Sequence, residues 1–291
     1  MVMQRLGAMK KIGGYLRLMR PVNCLMMGFA VIVGAALANP NVLGVKWQVL
    51  IYGFVTGFML TAASMAINDY YDREIDAVNE PNRPIPSGTV KPKEALIFAS
   101  VLTIIGFASA YLTNYACLFT ALLAWTIFTV YTTIGKRSGL PGNFLVSACV
   151  VIPFIYGSLA FVGEIMPNVL IFVFMVFLSN TGREITKGIV DVQGDEARGV
   201  KTLAVRHGAR KAALAASLFY VSAVALSPLP PLLMKVSFWF IPLVAVTDLG
   251  LLASSAMLLR DYSRENARKI KNAVLLWFIV GLLAFLVGAL G

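Results

Sequence analysis

Five carboxylates, Asp69, Asp72, Glu74, Asp76 and Glu80, fall within twelve positions of the stretch INDYYDREIDAVNEPNRPIPSG (67–88). If the preceding apolar helix runs on, Asn68, Asp72 and Asp76 stand at i, i+4 and i+8, stacked on one face, with Asp69 at its edge. Like charges so spaced repel by roughly a few tenths of a kcal/mol per exposed pair, and by more when poorly solvated. A cation removes that penalty. Oxygen ligands at this spacing suit a hard divalent ion, and Mg²⁺ commonly takes one or two carboxylates together with phosphate oxygens. A second stretch, REITKGIVDVQGDEARGVKTLAVRHG (183–208), repeats the device with Asp191 and Asp195 at i, i+4. Basic residues trail both stretches: Arg83 after the first, and Arg198, Lys201 and Arg206 after the second. Two facing carboxylate sets ringed by cations make a cage for Mg²⁺ and a diphosphate, because metal and Lys/Arg reverse the repulsion the acids alone would exert.

Whatever positions these groups must be a membrane protein. The chain is 58% hydrophobic and 13% charged, with mean hydropathy +0.78, whereas soluble domains carry about 25% charged residues. Apolar runs near the ~20 residues that cross a bilayer recur at 21–38, 47–67, 94–113, 116–134, 143–162, 167–182, 212–229, 236–259 and 273–290. The sixth continues polar towards residue 190. These predict an all-α, polytopic fold of nine transmembrane helices in a single membrane-embedded domain spanning 1–291. Of the 25 Lys and Arg, 23 fall in the segments on the N-terminal side of the membrane and only Lys46 and Lys235 opposite. The positive-inside rule therefore predicts a cytoplasmic N-terminus and cytoplasmic long loops in the cell membrane. The net charge of +11 is spread over five loops on one face, which suits anionic headgroups and gives no nucleic-acid signature.

The start of the chain, MQRLGAMKKIGGYLRLMR, is too charged for a signal peptide and reads as an interfacial amphipathic segment. Cys24, Cys117 and Cys149 stand singly in apolar runs, without disulfide or metal spacing. Of fourteen carboxylates, twelve lie on the basic side, a bias that positive-inside topology does not explain; Glu164 and Asp248 are the exceptions. The two acidic clusters follow the second and sixth spans, four helices apart, as a duplicated four-helix unit would place them.

NDYYDREID (68–76) fits the N-D-x-x-D-x-x-x-D motif of the UbiA-type intramembrane prenyltransferases, and DVQGD (191–195) fits their second, D-x-x-x-D motif. NRPIPSG (82–88) and YTTIGKRSGLPGN (131–143) are also similar to loops of that family, and the resemblance runs essentially full length. Residues 16–37, LRLMRPVNCLMMGFAVIVGAAL, look most like the archaeal branch that builds diether lipids.

The resemblance implies a central cavity among the nine helices under a cytoplasmic loop cap. It implies Mg²⁺, with Mn²⁺ as a substitute, bridging both motifs and holding the diphosphate of an allylic prenyl donor. Asn68, Asp72, Asp76, Asp191 and Asp195 become the metal ligands, the four aspartates being catalytic. Arg83, Lys136, Arg137 and Lys201 become diphosphate cations, and Arg20 and Asn23 acceptor contacts. Tyr70, Tyr71 and Tyr131 are candidates to face the allylic cation. The expected reaction transfers geranylgeranyl to geranylgeranylglyceryl phosphate, with membrane lipid around the protein and no obligate protein partner. Two other readings remain at this point: prenylation of an aromatic ring on the same scaffold, and a cation-coupled transporter, for which Asp248 inside a span is the one supporting feature.

Overall fold

Hydropathy fixes helix lengths only where the chain is apolar; caps and polar turns fix them elsewhere. The computed structural model describes residues 2–41, 44, 46–197 and 199–290, and all regular elements among them are helical. They are α1 (Val2–Met19), α2 (Pro21–Ala38), α3 (Trp47–Tyr71), α4 (Arg73–Asn79), α5 (Pro92–Thr113), α6 (Tyr115–Thr133), α7 (Leu140–Phe161), α8 (Pro167–Val190), α9 (Val192–Glu196), α10 (Leu203–Leu226), α11 (Leu229–Leu233), α12 (Phe240–Arg260) and α13 (Arg264–Ala289). Among the described residues nine spans are long and apolar enough to cross a membrane, as the sequence predicts. The protein is a multi-pass membrane protein.

The boundaries differ where polar caps extend a helix beyond its greasy part. The seventh span is preceded from Leu203 by a short polar turn of helix, capped where the Thr202 side chain accepts from the Val205 N–H, and the backbone kinks at Gly208 (φ 82, ψ 160) before the apolar part. The ninth begins at Arg264 rather than 273, where Ser263 accepts from Asn266 N–H. These turns lift basic side chains beyond the hydrocarbon. α8 continues to Val190, so the second acidic cluster hangs from the end of a 24-residue helix.

α2, α7, α8, α12 and α13 share the main apolar core, built around Phe154, Phe172, Phe240 and Phe285. α2 and α7 cross almost backbone to backbone. A Cβ on Gly157 would lie 2.1 Å from the Val31 carbonyl oxygen, and one on Gly34 2.2 Å from that of Phe154. Small residues allow this approach where lipid offers no hydrophobic drive for helix association. The outward faces stay apolar, and Trp47, Tyr111, Tyr115, Phe238 and Trp239 cluster as exposed aromatics at the rim opposite the basic one, the position of an interfacial belt.

Within the bundle lies a partly open apolar chamber with a cavity volume of ≈ 90 Å³, lined by Met27, Phe154, Met175, Trp277 and Phe285 among others. It begins at Ser179, one helical turn below Arg183. Asp248 lines it too, with one carboxylate oxygen accepting from the Ser227 hydroxyl at 2.5 Å.

Candidate active site

Helix α3 breaks at Asp72 (φ −87, ψ 0), yet its hydrogen-bond ladder continues. Asp72 N–H donates to the Asn68 carbonyl at 2.9 Å, Asp76 N–H to that of Asp72 at 2.8 Å, and Glu80 N–H to that of Asp76 at 2.8 Å. Asn68, Asp72 and Asp76 therefore keep the i, i+4, i+8 stack read from their spacing. Their charges are matched one for one. Arg83 donates to Asp76 at 2.5 Å and to buried Asp69 at 3.4 Å, Arg20 donates to Asp69 at 2.6 Å, and Lys136 Nζ grips both carboxylate oxygens of Asp72. Burial pushes the Asp76 carboxyl above its usual range, with Arg83 pulling the other way. Arg20 makes its contact from a left-handed backbone (φ 54) at the α1–α2 junction, the single positive φ outside glycine among the described residues. Such strain costs about 1–3 kcal/mol and persists only where surrounding contacts impose it; the Asp69 pair and Pro21 do so here.

The second cluster repeats the backbone device. α8 breaks at Asp191 (φ −98, ψ 6), and Asp195 N–H still reaches the Asp191 carbonyl at 2.9 Å. Arg183, Lys187, Asp191 and Asp195, four apart, form one stripe down this helix and into α9. Glu184 accepts from both Arg183 and Lys187, each at a long 3.4 Å. Lys271 of α13 lies within electrostatic reach of Arg183, Lys187 and Asp191. α13 is tied to α8 where Arg264 Nε donates to the Val190 carbonyl at 3.0 Å.

One loop joins the two clusters. It leaves α6, makes a 3₁₀ turn at Gly135–Arg137 and enters α7. Lys136 holds Asp72 of the first cluster, while the Arg137 carbonyl accepts from Lys201 N–H at 3.4 Å beyond the second. Gly139 (φ +76) lets the loop touch down: a Cβ there would lie 2.2 Å from the Lys201 carbonyl oxygen. Tyr131, at the base of the loop, is close enough to Asp72, Asp195 and Lys187 for their charges to act on its phenol. The loop and Tyr131 thus link the two acidic clusters.

Residues 27–282 match the UbiA prenyltransferase family. The chain belongs to that family. It is 36% identical to a digeranylgeranylglyceryl phosphate synthase of Archaeoglobus fulgidus over 97% of this chain and 98% of that one. A solved structure of a digeranylgeranylglyceryl phosphate synthase superposes with TM-score 0.75 at 32% identity, covering 96% of this chain and 99% of the other. A UbiA homologue from Archaeoglobus fulgidus bound to GPP and Mg²⁺ has the same fold, with TM-score 0.67 at 20% identity over 94% of this chain and 99% of that chain. Membership of a prenyltransferase family removes the transporter reading; Asp248 is a chamber-lining carboxyl bonded to Ser227.

Within this UbiA frame, most residues singled out from the sequence gather at one rim. Arg83 pairs with Asp76 and Lys136 with Asp72 there, and Tyr131 lies within electrostatic reach of both Asp72 and Asp195. Arg137 and Lys201 stand on the exposed edge of that rim, joined through their backbones. Arg20 is not free at the mouth of α2, since its guanidinium is committed to Asp69, while Asn23 lies three residues on along the same helix. Tyr70 and Tyr71 depart from expectation. The Tyr70 ring packs with Leu18 and Ile85 beneath the Arg73 guanidinium, 4.6 Å from its centroid, and Tyr71 is 59% exposed. Arg198 lies outside the described residues. Spacing alone would have revealed Arg183 and Lys187, which extend the Asp191–Asp195 register two turns upstream.

These residues fit a divalent cation of the Mg²⁺ kind. Asn68 Oδ1 is a buried acceptor with no hydrogen-bond partner, and buried polar atoms are rarely left so. Among the described residues no three His, Cys, Asp or Glu converge as a ready-made metal cage. An ion held here would therefore complete its shell with phosphate oxygens and water, as Mg²⁺ does readily.

Proposed function

We propose that this protein transfers a geranylgeranyl group from its diphosphate to the hydroxyl of geranylgeranylglyceryl phosphate, with Mg²⁺ and with Mn²⁺ as a substitute. The full-length similarity to a digeranylgeranylglyceryl phosphate synthase, 36% over nearly both whole chains, carries this reading. The paired acidic clusters above an apolar chamber support the chemistry. Asn68, Asp72, Asp76, Asp191 and Asp195 would hold the ion, which supplies positive charge to the diphosphate as its C–O bond ionises. Lys136, Arg83 and Lys187 add fixed cations where negative charge grows on the leaving group. The chamber receives the prenyl chain and keeps water from the allylic cation, for which hydrolysis competes. The acceptor hydroxyl oxygen then forms the new C–O bond and releases its proton, while diphosphate departs with the electron pair of the broken bond.

The experiment supplies purified protein with Mg²⁺, labelled geranylgeranyl diphosphate and two competing acceptors, geranylgeranylglyceryl phosphate and 4-hydroxybenzoate. Label is expected in the glycerol ether. Label found only in a carbon-prenylated aromatic would overturn the acceptor and leave the ionisation chemistry standing.

The orientation in the cell membrane belongs to the same reading. Ser87 and Ser138 are exposed on the basic rim and Asn41 on the opposite one. In a cysteine-free background, cysteines placed at Ser87 or Ser138 are expected to react with impermeant thiol reagents from the cytoplasm alone. One placed at Asn41 should react from outside alone. The reverse pattern would sink the cytoplasmic assignment.

A further inference from the structure

Helix α1 is not one of the nine spans, and its two faces differ. Lys11, Gly14, Tyr15 and Leu18 recur at i, i+3, i+4 and i+7, and this face lies on the protein. Leu18 is buried with Ala66, Val90 and Ala95, Tyr15 packs on Phe98 with ring centroids 4.9 Å apart, and Lys11 Nζ pairs with Glu94 at 2.7 Å. Gly14 lets the helix close on the turn before α5. A Cβ there would lie 2.7 Å from Thr89 Cγ2 and 2.9 Å from Val90 Cγ2. Met9, Ile12 and Leu16 form the other face and are exposed. A basic helix with one exposed apolar face suits the lipid headgroup layer.

Between α1 and the 87–91 turn lies a cavity of ≈ 280 Å³. Four charged residues line it, Lys10, Lys11, Lys91 and Glu94, so positive charge outnumbers negative three to one. Both oxygens of Glu94 are taken within the protein, one by Lys11 Nζ and the other by the Lys91 N–H at 3.2 Å. Its charge also acts on the Lys91 ammonium, but among the described residues neither Lys10 nor Lys91 has an ion pair. Gly88 (φ +71) turns the chain so that the Ser87 and Thr89 hydroxyls stand 2.9 Å apart in the same lining. When Ser87 donates to Thr89, the Thr89 O–H is left to donate into the cavity. Two ammonium groups and a hydroxyl donor around open space match a phosphate.

Below Glu94 the same face of α5 continues as Ile97 and Val101, at i+3 and i+7, and both are exposed. The polar cavity therefore opens onto an apolar stripe that enters the membrane, which favours a lipid over a free phosphate ion. We propose that this cavity holds the phosphate of an anionic phospholipid, with Lys10 and Lys91 on its charge and its chains along Ile97 and Val101. The site is separate from the acidic clusters and independent of which acceptor the enzyme prenylates.

The test measures binding to the purified full-length protein in detergent as a rise in melting temperature. The probes are phosphatidylglycerol, phosphatidylcholine and inorganic phosphate. Phosphatidylglycerol is expected to protect, and phosphatidylcholine, whose choline offsets the phosphate charge, to protect markedly less. Lys10→Gln and Lys91→Gln should each weaken the apparent affinity for phosphatidylglycerol roughly fivefold, the value of one lysine beside an anionic lipid, and together roughly 25-fold. Both side chains are exposed, so the variants should fold. Lys93→Gln removes the same charge two residues from Lys91 and outside the cavity lining, and should leave affinity within about twofold of wild type. If Lys93→Gln weakened binding as much as Lys91→Gln, the lipid would be sensing only the diffuse charge of the basic rim, and the site would be overturned. Inorganic phosphate has no chains for the α5 stripe and should protect weakly. Protection by it equal to that of phosphatidylglycerol at the same concentration would overturn the lipid assignment. Unchanged affinity in the Lys10→Gln, Lys91→Gln double variant would overturn the site for either probe.

Discussion

Asp72→Asn and Asp191→Asn are each expected to lower prenyl transfer by roughly 10³-fold, at the upper end of what losing one preorganised electrostatic contact costs. Each occupies the hinge between a membrane helix and its short continuation, and the two hinges share nearly the same backbone (φ −87, ψ 0 and φ −98, ψ 6). An amide is isosteric with the carboxylate but carries no charge, so the helix geometry persists while the cation loses its ligand. The loss should appear in kcat with saturating Mg²⁺, and raising the metal concentration should recover part of it. Stability provides the control. Asp72→Asn releases Lys136 from its carboxylate, a partly exposed pair whose loss costs at most about 1 kcal/mol. Asp191 has no ion pair among the described residues, so its neutralisation should leave the melting temperature nearly unchanged. Activity near wild type in either variant would sink the two-cluster site.

The sequence displayed the acidic motifs more clearly than the contacts that complete the site. Nine apolar runs and a one-sided charge distribution define the bundle because a bilayer leaves few alternatives to a helix of about twenty residues. The i, i+4, i+8 spacing survives the break at Asp72 because the backbone ladder runs through it. Partnering was harder to read. Arg20 and Asp69 lie 49 residues apart, and their pairing depends on the left-handed turn at Arg20 that swings α1 against α3. Tyr70 and Tyr71 adjoin the motif in sequence, but at about 100° per residue a helix turns Tyr70 to the side opposite Asp72 and leaves Tyr71 at the far edge from Asp76. Hydropathy also misses the polar first turns of α10 and α13, which exist because Thr202 and Ser263 cap them. The first turn of α13 carries Arg264, whose Nε donates to the Val190 carbonyl at the end of α8.

Gly139→Val is expected to cut activity about 100-fold by separating the clusters without touching a ligand. Gly139 has φ +76, where a β-branched side chain is a genuine outlier, and its Cβ would stand 2.2 Å from the Lys201 carbonyl oxygen. That oxygen belongs to the backbone and cannot rotate aside, so the loop must lift. Lys136, three residues before, would then be drawn off Asp72, and the Arg137–Lys201 contact that fastens the loop beside the second cluster would open. Misplacement of about 1 Å around a reacting centre is worth about 10²-fold in rate. Backbone strain alone should cost about 1–3 kcal/mol of stability, which has to be distinguished from the displaced loop. Gly163→Val makes that distinction, since Gly163 has φ +88 and open space where the side chain would go, at the opposite end of α7. It should lose comparable stability and keep its activity. If Gly163→Val were as inactive as Gly139→Val, strain in α7 rather than the seating of the loop on Lys201 would govern the site.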